Sequence, residues 1–98
     1  MHKITADIQN AIRTNTRFKG ANTEITVRTR EDGQVITSVF FHGHLIAQNG
    51  ATGWGFCFCG YRTNTTRDRI NAVRGALGLP LVSLTQFRDA GALLTWLE

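Results

Sequence analysis

The chain has 98 residues, of which 42% are hydrophobic and 18% charged, and its formal net charge is +4. This length and balance predict a single folded domain over residues 1–98 and exclude an intrinsically disordered chain. No apolar run approaches the ~20 residues that a membrane-spanning helix needs, and the first ten residues lack the apolar core of a signal peptide, so we expect a cytoplasmic protein without membrane contact.

The positive charge comes almost entirely from arginine, since Lys3 and Lys19 are the only lysines. The planar guanidinium group suits phosphate oxygens and base edges better than the compact lysine ammonium does. An arginine excess therefore favours an acidic partner such as nucleic acid. A charge of this size also occurs on many small domains that bind no nucleic acid, so both interpretations stay open.

The amino-terminal segment 3–13 has the period of an amphipathic helix. Ile4, Ile8 and Ile12 recur every four residues, which places them on one helical face. The segment 14–23 is rich in Thr, Asn and Gly and is predicted to be a loop.

A β-rich region follows, and its alternation of apolar and polar residues predicts an antiparallel meander of three to four strands. Asp32-Gly33 is a strong hairpin signal, and the His-Gly-His sequence at 42–44 predicts a second tight turn. A glycine-rich loop at 49–55 is predicted to precede the last strand of this region. The predicted strands cover residues 23–30, 35–41, 44–48 and 56–61.

Residues 66–77 are predicted to form the second helix. Thr65 suits its N-cap, and Asp68 three positions later completes an arrangement like a capping box. Gly78 is placed to end the helix and Pro80 to prevent its continuation. The tail after Leu81 fits either a hairpin that turns at residues 89–91 or a short helix capped by Asp89.

This order of elements predicts an α+β fold: an antiparallel sheet of about four to six strands with two helices packed on one face.

Three separated segments resemble a family of small proteins from tailed bacteriophages. The matching residues are Asn22, Thr23 and Glu24; His42 and Gly43, followed by Ile46 and Ala47; and Gly60, Tyr61, Thr63, Thr65, Thr66, Arg69, Ile70 and Asn71. The resemblance spans roughly residues 3–73, although Tyr61 stands where the family more often has Trp. It implies a phage origin, a place in the cytoplasm of the infected bacterium, and no catalytic residue, because the family has no established activity.

A basic and amide-rich set surrounds the start of the second helix. Arginine and asparagine there suit phosphate oxygens, and on a helix that enters the major groove they also suit guanine and adenine edges. The same residues suit capping and an ordinary solvated helix face, so this interpretation stays open too. The candidate nucleic-acid-binding residues are Arg62, Thr63, Asn64, Arg67, Asn71 and Arg74.

Two further groups are weaker candidates. His42, His44, Cys57 and Cys59 are the four side chains that suit a tetrahedral zinc ion, but they lack the usual C-x2-C spacing, so we predict no metal site and no cofactor. Among the aromatic residues, Trp54 and Tyr61 have the polar and glycine-rich neighbours expected of exposed rings that stack on bases, although a domain of this size needs most of its aromatics in the core.

No nucleophile has an obvious base and orienting group beside it, which argues against an enzyme. We therefore expect a small phage accessory protein that binds nucleic acid around the second helix. The alternative is a non-enzymatic protein-binding modulator of a host or phage enzyme.

Overall fold

A computed structural model describes residues 3–50, 53–57, 64–82 and 95–97. Its elements, in chain order, are helix α1 (Lys3–Thr14), strands β1 (Phe18–Gly20), β2 (Thr23–Thr29), β3 (Val35–Phe41), β4 (His44–Gly50) and β5 (Gly53–Cys57), helix α2 (Asn64–Ala76) and strand β6 (Thr95–Leu97). The predicted α+β fold is confirmed.

The strands form one sheet in which each strand pairs antiparallel with its neighbour in sequence. One row of paired residues crosses the middle of this sheet, from Ile25 through Val39 and Ala47 to Phe56. All four side chains are buried and belong to the core. Because alternate residues of a strand point to opposite faces, this row marks the face that the helices cover.

Both helices pack on that face and against each other. From α1 the core receives Ile8 and Ile12, which confirms the predicted apolar stripe. From α2 it receives Ile70 and Val73, both fully buried.

Each helix ends in a left-handed residue that reverses the chain. Asn15, with a φ of 51°, follows α1, and the next N–H group, of Thr16, donates to the Ala11 carbonyl at 3.0 Å. Gly78, with a φ of 75°, follows α2, and the Leu79 N–H group donates to the Arg74 carbonyl at 2.9 Å. Asparagine and glycine are the residues that adopt this conformation most readily, so Gly78 terminates the helix as predicted.

Strand β4 contains one extra residue where it pairs with β3. Val39 pairs with Ala47, whereas the next residue, Phe40, pairs with Leu45, so Ile46 is inserted between the two pairs. Ile46 and Ala47 are both buried although they are consecutive. The bulge thus sends two neighbouring side chains into protein interior, which a regular strand with one solvated face would not do.

Several predicted boundaries are wrong, three of them for a reason that the structure shows. The segment 18–20 is a strand rather than a loop, because it pairs with the start of β2. Helix α2 begins at Asn64, so Thr65 lies inside the helix instead of capping it; the adjacent Thr66 is fully buried and holds this first turn on the core. Strand β5 begins at Gly53, because the glycine-rich segment pairs with β4.

In the tail, residues 95–97 form a strand beside β5, whereas Asp89 and the predicted turn at 89–91 lie outside the described residues.

Candidate nucleic-acid interface

Four of the six predicted nucleic-acid-binding residues lie on α2; Arg62 and Thr63 fall outside the described residues. Asn64 is exposed in the first helical turn. Arg67 follows it on the same side of the helix, and its side chain is 26% exposed. One Arg67 Nη atom lies 3.6 Å from the Asp68 carboxylate, and its Nε atom is buried with no hydrogen-bond partner among the described residues. The Nε donor is therefore closed to solvent, and the exposed part of the Arg67 side chain is what an external ligand can contact.

Asn71 is occupied by the chain that follows α2. Its Nδ2 atom donates to the Val82 carbonyl at 3.1 Å, and its Oδ1 atom accepts from the Val82 N–H group at 2.8 Å. Both backbone polar groups of Val82, a residue only 6% exposed, are thereby satisfied by one amide side chain.

Arg74 also holds this segment. Its Nε atom donates to the Pro80 carbonyl at 2.6 Å, and its guanidinium carbon lies 5.0 Å from the centroid of the Phe56 ring. The residue is buried, so the expectation that this helical face is exposed is wrong at Arg74. The reason is the chain reversal at Gly78, which brings Pro80 and Val82 back along α2.

A second polar site lies where α2 meets two turns of the sheet. The turn between β1 and β2 and the turn between β3 and β4 are joined by a hydrogen bond from the His42 N–H group to the Asn22 carbonyl, at 2.8 Å. Ala21, Asn22 and His42 all have positive φ values. Such angles are uncommon outside glycine and occur where surrounding contacts impose them, as at tight turns and binding sites.

Arg69 of α2 is fixed over these turns. Its Nε atom donates to the Thr23 hydroxyl at 3.1 Å, and the Thr23 hydroxyl itself donates to the Ala21 carbonyl at 3.2 Å. The Arg69 guanidinium also lies 5.5 Å from the centroid of the Phe41 ring. A buried hydroxyl and an aromatic face thus set the orientation of this cation.

Beside Arg69 is a cavity of about 560 Å³, which we call the turn–helix cavity. Its polar lining comes from both turns, from the start of β4 and from the first turns of α2: Asn22, His42, His44, Thr65, Thr66 and Arg69. No sequence pattern predicted this site. The available signal was the set of short segments that carried the phage resemblance, because Asn22, His42, Thr65 and Arg69 belong to it and meet here.

Comparison with known proteins identifies the family of this chain. Residues 1–88 match the model of the Kyanoviridae Gp96 protein. The chain belongs to the Kyanoviridae Gp96 protein family. This is a phage protein family of unknown activity, so the predicted phage origin is confirmed. No curated protein and no solved structure matches the chain.

The match spans α1, α2 and strands β1 to β5, and so covers the residues of the α2 face and of the turn–helix cavity in this chain. Neither described helix of this Gp96 family member is long and apolar enough to cross a bilayer.

The weaker candidates were a set of His and Cys residues for a metal ion and two aromatic residues for stacking on bases. Within the described ranges no three His, Cys, Asp or Glu side chains form a group that could hold a metal ion, and Cys59 lies outside those ranges. Trp54 is half-buried, packs against the core and stacks on Phe56 with 6.2 Å between ring centroids. That placement is typical of a core aromatic, while Tyr61 lies outside the described residues.

Proposed function

We propose that this phage protein binds nucleic acid through the start of α2, with Arg62, Thr63, Asn64 and Arg67 as the contacting residues. The observation that supports this most directly is Arg67, whose side chain is 26% exposed on the same side of the helix as exposed Asn64 and is close to only one carboxylate, itself exposed, among the described residues. Phosphate oxygens fit the geometry of the guanidinium fork.

The proposed contact is to the phosphate backbone rather than to base edges. Contacts to bases from a groove-bound helix were expected of Arg67, Asn71 and Arg74, and two of these, Asn71 and Arg74, hold the segment after α2 instead. In the proposal Asn71 and Arg74 stabilise α2 by holding the segment that follows it. Asn64 and Arg67 contact phosphates, which positions the nucleic-acid strand on the protein without selecting its sequence. The affinity should therefore fall steeply as the salt concentration rises and should depend little on the nucleotide sequence.

Fluorescence anisotropy with labelled single- and double-stranded oligonucleotides, repeated over a range of salt concentrations, tests the proposal. Arg67→Gln should reduce the slope of log K against log salt by about 1, the loss expected for one phosphate contact. Arg28→Gln is the matched control, because it removes the same charge from an exposed position five residues along β2 from Thr23. Absence of binding at low salt, or an equal change in slope for both variants, would contradict the proposal.

A second candidate function is a protein-binding modulator of a host or phage enzyme. The observation in its favour is Leu81, which is 61% exposed at the side of a groove of about 920 Å³ between α1 and α2. A nuclease-treated pull-down from infected host cells should then recover one protein with the natural chain and lose it with Leu81→Ser. Recovery of the same protein with both forms would remove the evidence for this surface.

A further inference from the structure

We propose that the turn–helix cavity is a binding site for a phosphate monoester. The cavity combines a fixed arginine, two histidines and small hydroxyl and amide side chains, and no carboxylate is among the described residues that line it. Its volume of about 560 Å³ lies within the 300–1,000 Å³ typical of small-molecule sites.

Arg69 is the central group of this site. Its Nε atom donates a hydrogen bond to the Thr23 hydroxyl, so the two Nη amino groups are the part of the guanidinium that can bind an oxyanion. No carboxylate of the described residues lies within 4.0 Å of its guanidinium, since the described ion pairs join other residues. Arg69 is partly buried and is held by a hydroxyl and a ring. Because no described acid pairs with it, its guanidinium is available to pair with an anionic ligand.

The neighbouring side chains complete an anion site. His42 and Asn22 are exposed on the two joined turns, and Thr65 is exposed on the adjacent helical turn. Imidazole, amide and hydroxyl groups each donate hydrogen bonds to phosphate oxygens. A tetrahedral group bound between Arg69 and these donors would be contacted from three separate segments of the chain. Such a set selects a compact, multiply charged oxyanion over a planar carboxylate because the donors surround it from several directions.

This site is independent of the proposed nucleic-acid contact, which uses Asn64 and Arg67. Loss of oligonucleotide binding in Arg67→Gln would leave phosphate binding unchanged, and loss of phosphate binding in a cavity variant would leave the Arg67 contribution to the salt slope unchanged. The two ideas can therefore fail separately.

Isothermal titration calorimetry of the full chain with inorganic phosphate is the direct test. We expect saturable binding, and we expect Arg69→Gln to weaken it by at least about tenfold, because the loss of one hydrogen bond to a charged group lowers the affinity by that factor or more. His42→Asn should also weaken binding, and it preserves the turn because asparagine accepts the φ of 51° found at this position. This second variant keeps the test valid if Arg69→Gln fails to fold. Arg28→Gln should bind phosphate like the natural chain.

Two oligonucleotides of the same sequence, one with a 5′-phosphate and one with a 5′-hydroxyl, then identify the source of the phosphate. Tighter binding of the phosphorylated form, lost in His42→Asn, would support the site and assign it to nucleic-acid ends. Equal binding of both, together with the calorimetric result above, would support it and assign it to a small phosphate monoester. Absence of saturable phosphate binding, or equal weakening by His42→Asn and Arg28→Gln, would overturn the proposal.

Discussion

Replacement of Asn71 by alanine should destabilise the protein substantially, although asparagine on a helix surface is usually dispensable. The change deletes both hydrogen bonds to the Val82 backbone, at 2.8 and 3.1 Å, and leaves a buried N–H and a buried carbonyl group without partners. A buried polar group left unsatisfied costs about 1–3 kcal/mol. Leu81 is exposed, so water reaches the segment and each of the two groups costs about 1–1.5 kcal/mol, at the low end of that range, or about 2.5 kcal/mol together. The higher helix propensity of alanine returns at most about 0.7 kcal/mol. We expect a net loss of about 2 kcal/mol.

Urea denaturation followed by circular dichroism measures this loss, and thermal melting should show a decrease in Tm of about 8–16 °C for a domain of this size. Asn10→Ala is the matched control, because Asn10 lies at an exposed position inside α1 and gains the same helix propensity. That variant should be unchanged or slightly more stable. A difference of less than about 0.5 kcal/mol between the two variants, a typical surface effect, would refute the structural role of Asn71.

Three further substitutions test other parts of the structure by Tm and denaturant midpoint. Gly78→Ala should destabilise by about 1 kcal/mol, because a side chain is strained at a φ of 75°, although the surrounding space is open. Gly75→Ala should have the opposite sign and stabilise by up to about 1 kcal/mol, since the atom too close to its new Cβ, at 2.9 Å, is the flexible end of Gln9, which can move aside, and Leu81 Cδ2 at 4.0 Å is in ordinary contact. Phe56→Ala should cost about 3–5 kcal/mol, because the ring is fully buried in the core and packs against the Arg74 guanidinium.

The parts of the fold that the sequence predicts best are those with strong local signals on both sides. Strand β3 has the predicted bounds, because turn residues precede and follow it: Gly33 and Gly43 both adopt positive φ values. Strand β1 was missed because its three residues carry no strand pattern of their own and owe their conformation to pairing with β2. Local propensity cannot reveal an element that only a tertiary contact creates.

The candidate site was predictable only in part, for a related reason. Asn71 and Arg74 have the spacing of an exposed polar helix face, but their partners are backbone groups of Pro80 and Val82. Any residue type presents a backbone carbonyl, so no sequence pattern indicates such a contact. The turn–helix cavity could not be predicted from local sequence patterns, because Arg69 and its partner Thr23 are 46 residues apart in the chain.

The central claim, that the start of α2 contacts nucleic acid, is tested most directly by mapping amide chemical shifts during titration with a short oligonucleotide. We expect the perturbed amides to cluster around Asn64 and Arg67 and to extend to Arg62 and Thr63, while the far end of β2 around Arg28 stays unchanged. An absence of perturbation at low salt, or a cluster around Arg28 with the start of α2 unaffected, would contradict it.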